Sequence, residues 1–461
     1  MPVLAADPDF AASASTAEGV AEYGNRGETE DPGDDLVIPD GTLAENAAFA
    51  AEGLWYVEAL QLAQVHEVAT GVGATIAFID GPFNPDQAEF ADADIVLDET
   101  NYCAEWDPDS FDHDQPMITN DSIRALHATN IGLLMVGNGV GPTGIPGVQG
   151  VAPGLRLLYY GTAFGCGGGI AMAVDRAVAD GADVIAFMRA DDPTMPMSPR
   201  SYEEMSGADH YAWLEANARA QAAGVILVAG STNLEGPVPE SGITFVGFPG
   251  VMNGTVTVES TTPGGRVGQP QVVSNDLAVV APGNRLLGYR ANYGDSRTFW
   301  RQSFIHGNSF ASPITAASIG LAISAWPEAT PNQILQLLAI TATPITGEAG
   351  VRTDDTGFGL VNPYAMVTTS PMDLPDLNPF LRDDRRPSVD EIRDLAQTPS
   401  SLETTPEPET TDPTDSPVAS SNPEPTDPTG TNLTGWILAA LTLAAATSLA
   451  IWTIRKRRAR E

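Results

Sequence analysis

Six short apolar runs, interleaved with helical patterning, constrain the fold of this chain more than any other feature. Residues 74–79, 156–160, 184–188, 225–228, 255–258 and 277–280 are short and rich in β-favouring side chains. Helical patterns occupy 54–70, 123–136, 169–179, 202–223, 309–325 and 331–341. Strands interleaved with helices build a mostly parallel sheet covered on both faces. The expected architecture is therefore a three-layer α/β domain over residues 46–369. Hydrophobic residues make up 43 % of the chain, enough for its core.

The two ends of the chain have a different composition. Residues 1–45 are rich in Ala, Gly, Asp and Glu with little apolar periodicity, and are expected to be a flexible leader. Residues 370–432 are acidic and rich in Pro, Thr and Ser, with Asp383, Asp384 and a Thr-Thr-Pro-Glu-Pro-Glu run from Thr404. Such a tract buries too little apolar surface to fold and is expected to act as an extended linker. Residues 433–454 then run uncharged, with Trp436 and Trp452 near the ends. About 20 apolar residues flanked by interfacial aromatics are what a bilayer-spanning helix requires.

Arg455, Lys456, Arg457, Arg458 and Arg460 follow at once in a basic tail, residues 455–461. The positive-inside tendency puts that tail in the cytoplasm and the large domain outside a cell membrane crossed once. An exported domain needs a signal, yet Met1-Pro2-Val3-Leu4-Ala5-Ala6-Asp7 resembles only the end of a signal peptide. The expectation is a translation start further upstream.

Charge and cysteine content narrow the functional classes. A net charge of −38, from 22 Lys and Arg against 60 Asp and Glu, argues against nucleic-acid binding, which needs basic patches. Cys103 and Cys166 are too far apart for a CxxC motif. They are either two buried thiols or, in an extracytoplasmic domain, a disulfide. Asp107, Asp109, Asp112 and Asp114 could ligate calcium but lack the spacing and closing Glu of an EF-hand, so a solvated acidic loop is the simpler reading. Gly137-Asn138-Gly139-Val140-Gly141 follows a helix, which is the wrong context for a dinucleotide fingerprint. No cofactor is required by any motif present.

Three segments carry chemistry. The run 74–79 ends in Asp80; His127 lies early in a helical pattern; Ser309 opens an Ala-rich helix in Gly307-Asn308-Ser309-Phe310-Ala311-Ser312-Pro313. Singly these residues suit a turn, a helix surface and an N-cap. Together, in the order Asp–His–Ser, they suit nucleophilic catalysis: a serine hydroxyl needs an imidazole to take its proton, and the imidazole needs a carboxylate to orient it.

At these residues the chain resembles the subtilases, the subtilisin-like serine proteases, over roughly residues 55–367. Asp80 matches the catalytic Asp, His127 with Thr129 the His-Gly-Thr segment, and Gly150-Val151-Ala152-Pro153-Gly154 the turn after it. Val280-Ala281-Pro282-Gly283 matches the element ahead of the nucleophile, and Ser309 with Gly307, Ala311 and Pro313 the Gly-Thr-Ser-Met-Ala-x-Pro motif. The resemblance implies endopeptidase activity on protein or peptide substrates, with Ser309 as nucleophile, His127 as base and Asp80 orienting it.

The departures are Asp80-Gly81-Pro82 for Asp-Thr-Gly or Asp-Ser-Gly, His127-Ala128-Thr129 for His-Gly-Thr, and changes at the pocket and the oxyanion hole. Met188-Arg189-Ala190 stands where Ser-Leu-Gly lines the first pocket, and Val228-Ala229-Gly230-Ser231 where Ala-Ala-Gly-Asn supplies the oxyanion donor. The ungapped alignment favours Ser231 as that donor; a bulge would present Asn233 instead. The alternative function is a degenerate subtilase fold that binds peptides or scaffolds a secretion complex. An esterase is disfavoured because Gly307–Ala311 lacks the second Gly of a nucleophile elbow. The order of protease, acidic linker, membrane helix and basic tail is similar to that of mycosins, membrane-anchored subtilases linked to type VII secretion.

Overall fold

Seven strands form one wholly parallel sheet in the order β2-β5-β1-β6-β7-β8-β9. The computed structural model describes residues 43–397 except 109–113, 122, 142–144, 163–165, 189–207, 234–245, 268–270 and 292–299. The sheet strands are β1 (Thr75–Asp80), β2 (Asp94–Asn101), β5 (Arg156–Gly161), β6 (Val184–Phe187), β7 (Ile226–Gly230), β8 (Val256–Thr261) and β9 (Leu277–Pro282). Two antiparallel hairpins stand apart: β3 (Asn138–Val140) with β4 (Pro146–Gln149), and β10 (Leu286–Ala291) with β11 (Trp300–Ile305). The first hairpin contains the Gly137–Gly141 run.

Both faces of the sheet are covered. One core joins the sheet to the helices Leu126–Val136, Asn308–Ala325 and Pro331–Thr341. The other packs the helices Gly167–Ala179 and Ala208–Ala222 on the opposite face. Because β6, β7 and β9 are buried on both sides, they read as continuous apolar runs, not alternating ones. The strand order reverses at β1, and open parallel sheets place their sites at such a switch point, beyond the strands' C-terminal ends.

Three expectations need correction. The helical pattern at 54–70 is two short helices, Trp55–Ala59 and Leu62–His66, separated by Gln61 in the left-handed region at φ 54°. A continuous helix would set Leu60 and Leu62 about 200° apart around its axis. The break lets both be buried. The leader expected to reach residue 45 yields to a helix, Leu43–Gly53, whose Phe49 stacks on Phe304.

The linker expected from 370 does not begin there, because residues 370–397 belong to the first of two compact units, which ends at Pro399. Polar anchors hold residues 370–397 in place. Asn253 Nδ2 donates to the carbonyls of Arg382 and Pro387, while Arg382 and Arg385 both pair with Asp276, at 3.1 and 2.9 Å. The helix Val389–Gln397 buries Ile392 and packs on Ala208–Ala222. Among the described residues no helix is long and apolar enough to cross a membrane. The span expected at 433–454 lies outside the described residues.

Candidate active site

Asp80 ends β1 and is 1 % exposed, directly at the switch point. Its Oδ1 accepts from the Gly81 N–H at 2.5 Å, and its Oδ2 lies 2.7 Å from His127 Nδ1. A carboxylate there accepts from Nδ1–H and leaves Nε2 as the basic nitrogen. His127 rides in the first turn of Leu126–Val136. The Gly150–Ala152 turn closes the other end of that helix: the N–H groups of Gly150, Val151 and Ala152 donate to the carbonyls of Gly137, Leu134 and Met135. The resembled motif therefore ties down the helix that carries the histidine.

Ser309 lies in the first turn of Asn308–Ala325 and is half-buried. The ring of the next residue, Phe310, packs against His127 with centroids 5.6 Å apart, which brings the serine's turn to the imidazole. Gly307 precedes the helix at φ 141°, a backbone setting that favours glycine. Its N–H donates to the Gly283 carbonyl at 2.9 Å. A Cβ on Gly283 would lie 2.5 Å from Ser260 Cβ, so the Ala-Pro-Gly element must end in glycine to fit beneath the serine turn.

The two oxyanion candidates differ in environment. Ser231 is fully buried; its Oγ donates to Glu259 Oε2 at 2.7 Å and accepts from Asn308 Nδ2 at 2.8 Å. Asn233 is exposed and lies over Gly307, 3.5 Å from where a Cβ would sit. Its Oδ1 accepts from the Asn308 N–H at 3.0 Å, which leaves its Nδ2 as the group offered outward. Of Met188-Arg189-Ala190, only Met188 lies within the described residues, and it is buried.

Cys103 and Cys166 form a disulfide, with Cα atoms 5.8 Å apart, joining the helix Tyr102–Trp106 to the start of Gly167–Ala179. Among the described residues, no three His, Cys, Asp or Glu side chains gather as a metal cluster.

Sequence reasoning missed Glu259. It lies on β8, is 2 % exposed, and accepts from Ser231, Asn308 and the Ser260 N–H. Burial pushes its carboxyl up to about 7 against the donors that pull it down. A glutamate inside an otherwise uncharged core strand was the available signal.

Several known proteins are similar to this chain. The halolysin-like extracellular serine protease Nep of Natrialba magadii is 29 % identical over 148 residues, 32 % of this chain and 24 % of that protein. The match thus spans about a quarter of that relative's length. MycP1 with its N-terminal propeptide removed, one of the mycosins, has a similar structure, with a TM-score of 0.52 at 20 % identity over 70 % of this chain and 99 % of that one. Fervidolysin from Fervidobacterium pennivorans, a keratinolytic enzyme related to subtilisin, gives 0.51 at 18 % identity over 72 % of this chain and 49 % of that one. These likenesses bear on the fold. The model of the subtilase family, Peptidase_S8, matches residues 71–364, well over half of the sequence, and this chain belongs to that family of subtilisin-like serine peptidases.

Proposed function

We propose that this chain is a membrane-anchored serine endopeptidase acting through Asp80, His127 and Ser309, with Asn233 as the side-chain donor of its oxyanion hole. His127 Nε2 takes the Ser309 proton as Oγ bonds to the scissile carbonyl carbon. The peptide C–N bond breaks, the proton passes to the leaving amine, and water then releases the acyl group by the same route. The Asn233 amide, with the N–H groups at the helix start, meets the negative charge that develops on the carbonyl oxygen. Acyl transfer of this kind draws only on the chain's own side chains and needs no cofactor.

The observation that carries the proposal is the buried Asp80 carboxylate 2.7 Å from His127, whose ring packs on the residue after Ser309. Ser231 is disfavoured as the oxyanion donor because its one proton goes to Glu259. A fluorophosphonate probe tests the reading: it should attach to Ser309 in the full chain and to nothing in Ser309→Ala. A wild-type chain that binds peptides yet takes no label would be a peptide-binding scaffold instead.

Anchoring rests on the uncharged run 433–454 and the basic tail after it. Protease added to intact cells or spheroplasts should release the domain by cutting within 400–432; a domain cut only after lysis would place it inside. The arrangement similar to that of mycosins supports protein substrates in a type VII secretion setting.

A further inference from the structure

Behind the serine turn lies a closed web of polar groups, and Glu259 is its one ionisable member. Glu259 Oε2 accepts from Ser231 Oγ at 2.7 Å and from Asn308 Nδ2 at 3.3 Å, and Oε1 accepts from the Ser260 N–H at 3.2 Å. Asn308 precedes Ser309 and is held from both ends of its side chain. Its Nδ2 also donates to the Thr232 carbonyl at 2.6 Å, and its Oδ1 accepts from the Ser260 N–H at 2.9 Å. The Asn308 backbone N–H in turn holds Asn233 Oδ1. One residue therefore links the carboxylate, the turn that presents Ser309 and the outward amide of Asn233.

We propose that Glu259 is a positioning residue, whose ionised carboxylate holds the Ser309 turn and Asn233 in register through Ser231 and Asn308, and whose protonation releases them. The inference rests on Ser309 being the nucleophile. Among the described residues, the groups that bond the carboxylate are all donors: the Ser231 hydroxyl beyond β7, the Asn308 amide on the serine helix, and the N–H groups of Ser260 and Val272. No charged side chain is among them. An ionised carboxylate accepts from all four. A protonated one must itself donate, which turns the Ser231 hydroxyl and removes an acceptor from Asn308. Burying a carboxylate is costly, and a neutral residue would fill β8 more stably. Burial raises its proton affinity to about 7, so it titrates within the range where a histidine base also titrates. Among the described residues Glu259 bonds Ser231, Asn308, Ser260 and Val272 and neither Ser309 nor Asn233, so its effect falls on turnover, not on binding.

The test follows fluorophosphonate labelling of Ser309 against pH in the full chain. Wild type should gain reactivity with the loss of two protons on the acid side, one from the general base and one from Glu259. In Glu259→Gln the dependence should fall to one proton, and the saturating rate by about 10–100-fold, with the half-saturating probe concentration little changed. Thermal melting at about pH 8 should show Glu259→Gln no less stable than wild type. A purely structural glutamate predicts the opposite, an activity loss that tracks the unfolded fraction. A variant as reactive as wild type overturns the inference while leaving Ser309 as nucleophile; a wild type that takes no label overturns both. Should Glu259→Gln fail to fold, the wild-type profile decides: a one-proton acid limb rules the role out.

Discussion

The two halves of the site are held by different means. Asp80 and His127 meet through one hydrogen bond, and the rest of their placement comes from secondary structure: a strand end at the switch point and a helix whose far end is closed by the Gly150–Ala152 turn. Ser309 follows a turn at Gly307 that one backbone hydrogen bond ties to Gly283. Side chains do most of the remaining holding, in a web running from Asn233 through Asn308 and Ser231 to Glu259 on β8. An acid–base pair needs one distance and one tautomer. A nucleophile with its oxyanion donor needs several atoms fixed at once, and errors of about 1 Å are costly.

The largest test of that contrast removes each half outright. Ser309→Ala and His127→Ala should each lower turnover by about 10⁶-fold, and the double variant should fall little further, since neither group works without the other. Asp80→Asn keeps the shape but releases the His127 tautomer, and should lower turnover by about 10⁴-fold with the fold intact. Additive effects in steady-state kinetics would break the pairing.

Within the nucleophile half, Asn233→Ala should lower kcat by about 10²–10³-fold with KM nearly unchanged. Ser231→Ala should cost less, because that hydroxyl only supports Asn308. If the Ser231 change is the costlier one, the donor assignment is reversed.

The Cys103–Cys166 disulfide lies outside both halves and serves as a control. Replacing both cysteines by Ala should remove up to about 4 kcal/mol of stability, read as a lower melting midpoint. Fluorophosphonate labelling of the folded fraction should stay at the wild-type rate.

The smallest expected effect is a pH trend in stability. The unfolded chain releases the Glu259 proton near its ordinary 4.5, whereas the folded chain keeps it up to about 7. Folding therefore takes up a proton in that window, and the Glu259 contribution to stability falls as pH rises through it. Melting midpoints across the window should fall less steeply in Glu259→Gln than in wild type.

The parts of this site that were legible in the sequence are those with a local signature. All six expected core strands exist, because buried strands select apolar and β-branched side chains, as even the Thr-Val-Thr-Val run 255–258 that enters β8 does. Edge strand β2 was missed because it is partly exposed and carries Asp94, Asp98 and Glu99. The segment 370–397 was misread as linker because ion pairs and amide contacts anchor it, and these leave no periodic trace.

By itself the sequence determined the parallel sheet, the glycines of the serine turn and the order in which Asp80, His127 and Ser309 arrive. Burial pattern, backbone conformation and chain order are all local properties. Only the tertiary structure decided that Ser231 faces inward, that Asn233 faces outward, and that a glutamate 50 residues before the serine lies behind it. A hydrogen bond depends on where two distant segments meet in space, and neighbouring residues such as Ser231 and Asn233 can point to opposite sides of one turn.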